Sequence, residues 1–241
     1  EEITSVELGY GFSSNAFKVN VNAYITKWDD RFVTRTFKNQ GDDFTSQFPD
    51  VDVLHKGIEA EATYRPTGRT TIKGMVSIGD WRYTDDFSGK TYNENQELVG
   101  EETLYLTDVK VGDAAQFTAF IGIDQKVGDK LSFDLDYRFA DNLYADYSFN
   151  DADNVLVQPN NPGVIELPSY GLVDLGGTWY IGNGWKLRVN VNNLLDTVYI
   201  AESNTNIHAS ATSQTWNGID TRNSVWFGFG RTWNVSLKYT F

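Results

Sequence analysis

The chain closes on Val225-Trp226-Phe227-Gly228-Phe229-Gly230-Arg231-Thr232-Trp233-Asn234-Val235-Ser236-Leu237-Lys238-Tyr239-Thr240-Phe241, and the alternation in this stretch decides the fold. Val225, Phe227, Phe229, Trp233, Val235, Leu237, Tyr239 and Phe241 share one parity. Gly228, Gly230, Thr232, Asn234, Ser236, Lys238 and Thr240 hold the other. Successive side chains of a strand point to opposite faces, so this is a strand with one apolar and one polar side.

The same rhythm recurs upstream. Phe17, Val19, Val21, Ala23 and Ile25 alternate with Lys18, Asn20 and Asn22; Leu131, Phe133, Leu135, Tyr137 and Phe139 alternate with Ser132, Asp134, Asp136 and Arg138. About nine strands follow from it, at roughly 3–12, 16–28, 53–65, 70–83, 115–127, 130–147, 168–181, 185–195 and 225–241. Ser13-Ser14-Asn15, Pro66-Thr67-Gly68, Val127-Gly128-Asp129 and Gly182-Asn183-Gly184 read as tight turns. The connections between those hairpins are long, polar and acidic, so short and long connections alternate along the chain. The expected fold class is all-β, an antiparallel up-and-down barrel with turns at one end and loops at the other.

Alternation alone does not name the solvent, because a half-buried sheet in water alternates too, as in a β-sandwich. Strand length and charge placement favour lipid. The strands run to ten residues or more, which is what a tilted crossing of hydrocarbon requires. Their polar face carries charges of both signs, at Glu59, Glu61, Arg65, Asp134, Asp136, Arg138, Lys186 and Arg188, which suits a wet or plugged lumen. Aromatic residues gather near strand ends, where interfacial girdles sit. Arg231 breaks the apolar parity of the last strand. It fits near the outer interface, where its guanidinium can reach headgroups, or at a local bulge.

Composition narrows the function. The 241 residues carry a formal charge of −13, so no basic face is available for nucleic acid. There is no Cys and hence no thiolate metal site, and no metal or cofactor is expected. Only His55 and His208 are present, in separate loops and without a Gly-x-Ser-x-Gly motif, which argues against an enzyme. Asn150-Asp151-Ala152-Asp153-Asn154 offers alternating oxygen ligands for Ca²⁺, yet it lacks the Gly and distal Glu of an EF-hand loop; a solvated acidic turn explains it as well. Pro159-Asn160-Asn161-Pro162-Gly163 is turn chemistry. The chain begins Glu-Glu-Ile with neither initiator Met nor signal peptide, which reads as a processed or truncated product.

Leu187-Arg188-Val189-Asn190-Val191-Asn192-Asn193-Leu194-Leu195-Asp196-Thr197-Val198-Tyr199 resembles the penultimate-strand signature of TonB-dependent outer-membrane receptors, with Leu195 in place of the usual Phe. Gly230-Arg231-Thr232 and the run to Phe241 resemble the family's last strand, and Tyr170 to Tyr180 the strand before both. Asn234, Tyr239 and Phe241 are similar to the signal read by the barrel-assembly machinery. The resemblance implies residence in the outer membrane of a Gram-negative bacterium, among lipid and lipopolysaccharide. It also implies that residues 1–241 are the C-terminal portion of a twenty-two-stranded barrel, with the plug and earlier strands outside this chain. The implied partners are that plug, a TonB-type energy-coupling protein and, in some relatives, a surface lipoprotein. The implied activity is import of a scarce ligand bound at extracellular loops, for which Trp28, Asp85, Asp86, Tyr144, Asp146, Asn204, His208 and Trp216 are candidates. Asn, Ser and Thr around Trp216 would suit a sugar, and equally an ordinary exposed loop. A passive porin-like or surface-binding barrel, or a soluble β-rich binding protein, remains the alternative.

Overall fold

The computed structural model describes residues 1–146 and 157–241. In chain order the strands are β1 (Glu2–Ser13), β2 (Phe17–Asn39), β3 (Asp42–Thr67), β4 (Thr70–Tyr83), β5 (Phe87–Asn93), β6 (Leu98–Leu104), β7 (Phe117–Val127), β8 (Leu131–Asp141) and β9 (Leu143–Tyr144). They continue as β10 (Glu166–Leu167), β11 (Tyr170–Gly182), β12 (Trp185–Asn192), β13 (Ile200–Ser203), β14 (Thr215–Trp216), β15 (Ile219–Asp220), β16 (Val225–Phe227) and β17 (Thr232–Tyr239). Nine of them form one continuous antiparallel meander, β1-β2-β3-β4-β7-β8-β11-β12-β17. The Asn150–Asn154 segment lies outside the described residues.

Register places the two parities on opposite faces throughout. Val21 opposes Ala60, Ala60 opposes Val76 and Val76 opposes Ala119 on one face; Asn22 opposes Glu59 and Glu59 opposes Ser77 on the other. The apolar face is open: Leu8 is 77% and Trp233 73% exposed. So are the outer edges of β1 and β17, whose residues are exposed along their whole length. The chain's accessible surface is 14756 Å². A compact monomer of this mass exposes about 11,000 Å², so the sheet is far from closed on itself.

The structure corrects three sequence expectations. The first long loop, expected over 29–52, is instead the upper half of a β2–β3 hairpin, 23 residues on one side and 26 on the other. Its tip is a two-residue turn with positive φ at Gln40 (54°) and Gly41 (101°), which matches the twist of the strands it joins. Asp30, at φ 56°, marks the irregularity where the hairpin leaves the main sheet. The second loop holds a hairpin of its own, β5–β6, with β5 pairing on upper β3. The last strand is broken: β16 pairs with β13 outside the main sheet, and β17 starts only at Thr232. Arg231 therefore lies at this break, its N–H donating to Asp196 Oδ1 at 2.7 Å.

The packed core lies at the loop end and not in the sheet. Phe48, Val51, Val53, Tyr83, Phe87, Leu104, Leu106, Val109 and Val164 form one buried cluster; Leu143, Ala145, Ile165, Leu167 and Ile200 form another. Gln116 joins sheet to loops, its side-chain amide accepting from Trp81 N (3.0 Å) and donating to Trp81 O (2.9 Å), so it continues the ladder where β7 stops. Phe48 is wholly buried in the first cluster, and Phe48→Ala should cost about 3–5 kcal/mol. Hydrogen exchange in detergent should show amides 84–111 losing protection while those of β7 and β8 keep it. Equal loss in both would mean that loops and sheet unfold as one unit.

Candidate functional site

The polar face carries an ion-paired strip. Arg188 donates twice to Asp134, at 2.9 and 3.0 Å, and once to Thr178 Oγ1 at 3.2 Å. Arg138 pairs with Asp174, and Lys73 with Asp124 at 2.8 Å. Gly122 and Gly176 stand opposite Asp136 and Asp134, and a Cβ on either would collide with the facing carboxylate. Glu59 and Glu61 lie on the same face of β3. At the tight-turn end Arg65, Lys186, Arg188 and Asp134 line a groove of about 430 Å³. All eight charged residues read from the alternation thus share the polar face.

The Asn192–Tyr199 motif has a local structural role. β12 ends at Asn192, and Asn193 (φ 50°) and Asp196 (φ 56°) adopt the left-handed conformation that Asn and Asp tolerate best. The Asn193 side chain accepts from Thr197 N (2.8 Å) and donates to Thr197 O (2.9 Å) and Phe229 O (3.2 Å), while its N–H donates to Asp174 (2.8 Å). Tyr199 stacks on Tyr170 at 4.2 Å and lies hard against Gly228. The motif ends one strand and fixes the start of the next. At the other end Tyr239 lies 4.8 Å from Trp185 and 5.1 Å from Phe241, ring centre to ring centre; Asn234 accepts from Asn190 at 2.9 Å on the polar face.

Among the loops, Asp86 and Tyr144 share the wall of a cavity of about 660 Å³, with Tyr105, Asp108, Lys110 and the 159–164 segment. Asn160 (φ 61°) and Gly163 (φ 76°) give that segment the turn expected of it. His208 Nε2 lies 2.9 Å from Gly163 O and so touches the same segment. Trp28 packs against the first buried cluster with Arg31 4.4 Å over its ring, and Trp216 packs against the second, edge-on to Phe227. Asp85 and Asn204 are exposed. The ligand candidates are therefore dispersed: Asp86 and Tyr144 share a cavity wall, His208 touches the 159–164 segment of that wall, and Asp146 donates its N–H to Ser203 O.

Several polar groups that organise the loops escaped the sequence reading. Asp220 is 2% exposed and accepts from Arg222 Nε (2.9 Å) and Nη2 (2.7 Å) and from Ser213 Oγ (2.5 Å), which hold its carboxyl well below the usual range. Asn223 bridges Ile207 through both its donor and acceptor, and Asn206 ties Ile165 N to Asp146 O. Asn223 thus binds this loop's own backbone and Asn206 that of the neighbouring loop, and the i, i+3 spacing of Asp220 and Asn223 is the turn chemistry that would have shown the first. Arg35, 3% exposed, pairs with Glu102 at 2.5 Å across the β2–β3–β5–β6 layer.

Asp113 lies in the loop before β7, its N–H donating to Tyr144 O at 3.1 Å. Partial burial first, then Asp146 and Glu202, push its carboxyl up to about 6. The folded loop therefore holds this proton more tightly than the unfolded chain does. Loop stability should rise as pH falls from above 6 towards 4, and Asp113→Asn should flatten that profile. Protection of amides 112–116 against exchange, followed over pH 4–8, checks this. A double-mutant cycle on Asp134 and Arg188 should return a coupling of about 1 kcal/mol in urea unfolding. Additive single variants would mean that the bidentate pair contributes nothing.

Comparisons with known proteins agree with this geometry. The family model described as "TonB dependent receptor-like, beta-barrel" matches residues 1–194. It thus covers the strands that precede the Leu187–Tyr199 motif and overlaps the start of that motif. No curated protein sequence matches. Among solved structures, the copper transporter OprC superposes with a TM-score of 0.62 at 16% identity, covering 99% of this chain and 32% of that one. The ferric-catecholate import receptor Fiu from Escherichia coli K12 gives 0.62 at 13%, covering 99% and 27%. The ferric yersiniabactin uptake receptor FyuA from Yersinia pestis gives 0.61 at 14%, covering 99% and 30%. The chain spans about three-tenths of the length of each. Receptors of this family are outer-membrane proteins of Gram-negative bacteria, transporters and not enzymes. The described sheet, with one apolar and one ion-paired face and folded loops at one end, belongs to the TonB-dependent receptor β-barrel family.

Proposed function

We propose that this chain is the C-terminal part of the barrel wall of an energy-coupled import receptor. The apolar face meets lipid, and the strip from Glu59 to Arg188 lines the lumen. The folded loops, with the cavity beside Asp86 and Tyr144, form part of the extracellular ligand-binding end. The observation that carries this reading is the ion-paired polar face itself. Asp134–Arg188, Asp174–Arg138 and Asp124–Lys73 need a polar surrounding that hydrocarbon cannot supply, so this face turns inward. The open edges of β1 and β17 call for further strands, because unpaired backbone has no place in lipid.

The plug and the TonB-type coupling protein act on the wall from outside this chain. Cargo follows the structural relatives, which by name carry copper or ferric chelates; a metal chelate is the first class to test. Asn234 and Tyr239 stand on the last strand and Phe241 two residues past its end, and the strand's free edge suits recognition by the assembly machinery through strand addition.

Uptake of a radiolabelled metal chelate by cells carrying the intact receptor tests the reading. Removing the coupling protein should abolish uptake and leave surface binding unchanged. Uptake that persists without it would identify a passive pore.

A further inference from the structure

The upper β2–β3 hairpin has two unlike sides. One carries Val33, Arg35, Ser46 and Phe48 and packs on the first buried cluster. The other is exposed, and along it the register sets Thr34, Gln47, Lys90 and Glu101 side by side on β2, β3, β5 and β6. β3 pairs with β5 only over Phe44–Gln47. Pro49 has no N–H with which to extend that ladder, and β3 is irregular at this point. β5 continues to Phe87 with β6 as its partner, and a Cβ on Gly89 would collide with Gln47 O and the Phe48 ring. A groove of about 260 Å³ lies where the two strands part, lined by Phe32, Pro49, Tyr92, Gln47, Lys90 and Glu101.

The groove's side chains are uncommitted. Phe32 is 56% exposed, whereas Val33 and Phe48 beside it pack into the cluster. Among the described residues no hydrogen bond or ion pair occupies the side chains of Gln47, Lys90, Tyr92 or Glu101. The amides of Gln116, Asn193 and Asn223, by contrast, are all held by backbone. Lys90 and Glu101 cancel in charge, so the groove suits neither a polyanion nor a metal ion. A sugar ring offers what it does suit: C–H faces for aromatic rings, and hydroxyls that both donate and accept for an amide, an ammonium and a carboxylate. We infer that this groove binds a hexose unit of a neutral oligosaccharide, with Phe32 against the ring and Gln47, Lys90 and Glu101 on its hydroxyls. The first buried cluster, whose Val109 and Val164 also wall the cavity beside Asp86, lies on the other side of the hairpin. The site is therefore separate from that cavity and independent of import.

The intact receptor, in a detergent without a sugar headgroup, is tested on arrayed tetrasaccharides of glucose, galactose and mannose and on their anionic counterparts. Neutral chains should be retained, and titration with the best-retained tetrasaccharide gives the affinity. Phe32→Ala should weaken it about fivefold, which is the size of one ring contact. Glu101→Gln should weaken it as well, and it serves as the second probe should Phe32→Ala fail to fold. Heat-modifiable migration on gels confirms that each variant is folded. Lys38→Gln, near the tip of the same hairpin and outside the groove, should bind as the unaltered protein does. Retention of no neutral chain, retention of anionic chains alone, or equal binding by both groove variants would overturn the site. Competition by the free tetrasaccharide would support a soluble sugar as ligand, and competition by a long neutral polymer alone a cell-surface polysaccharide. Chelate uptake should be unaffected by Phe32→Ala, so failure here and failure of the import reading remain separate.

Discussion

Lateral hydrogen bonding between neighbouring strands is the constraint from which the remaining structure follows. With hydrocarbon against one face, no water is present to satisfy a backbone N–H or C=O, so each strand of the wall must pair on both sides. Seven of the nine wall strands do so, each antiparallel to its neighbours, and β1 and β17 pair on one side only. That requirement dictates the tight turns at one end and frees the other end for elaboration. It also makes the edges of β1 and β17 the places where this chain needs neighbours.

The loops solve a different problem. They stand in water, so they can bury apolar side chains against one another, and the fully buried large residues Phe48, Leu104, Leu106, Leu167 and Ile200 all lie there. Their polar groups are used in the same way: Asn193, Asn206, Asn223 and Asp220 hold backbone in place. A loop rich in amides around Trp216 would suit a sugar, yet two of those amides hold backbone: Asn206 reaches across to Ile165 and Asp146, and Asn223 binds Ile207 within the loop. Asp86 and Tyr144 line a cavity of about 660 Å³ at the same end.

Period-two alternation exposed the wall strands and their two faces, because one face is apolar and the other polar at every step. The eight charged residues of the polar face were legible for the same reason. The upper β2–β3 hairpin was not, since Asp29, Asp30, Asp42, Asp43, Asp50 and Asp52 gave it the composition of a loop. Its alternation is nonetheless present in Val33, Arg35 and Phe37, and Phe37 stacks on Phe44 at 5.6 Å. The break at Gly228–Arg231 was hidden because parity continues across it: a peptide that leaves the sheet and re-enters in phase leaves no mark in the pattern. Long-range loop partners such as Arg35 with Glu102, 67 residues apart, have no local signature at all.

The β2–β3 hairpin is also a mechanical element. Its strands run without a chain break from the tight-turn end through the wall and on to Gln40–Gly41, a contour of roughly 75 Å on the β2 side. A twisted two-stranded ribbon resists bending in its own plane, and the register irregularities from Trp28 to Val33, around Asp30, are its weak stretch. A load applied at the tip is therefore carried along covalent backbone into the wall, with β5–β6 bracing the ribbon above the membrane. A load that tilts this beam about Asp30 would reach Trp28 and Arg31 first, because Arg31 lies 4.4 Å over the Trp28 ring beside the irregularity.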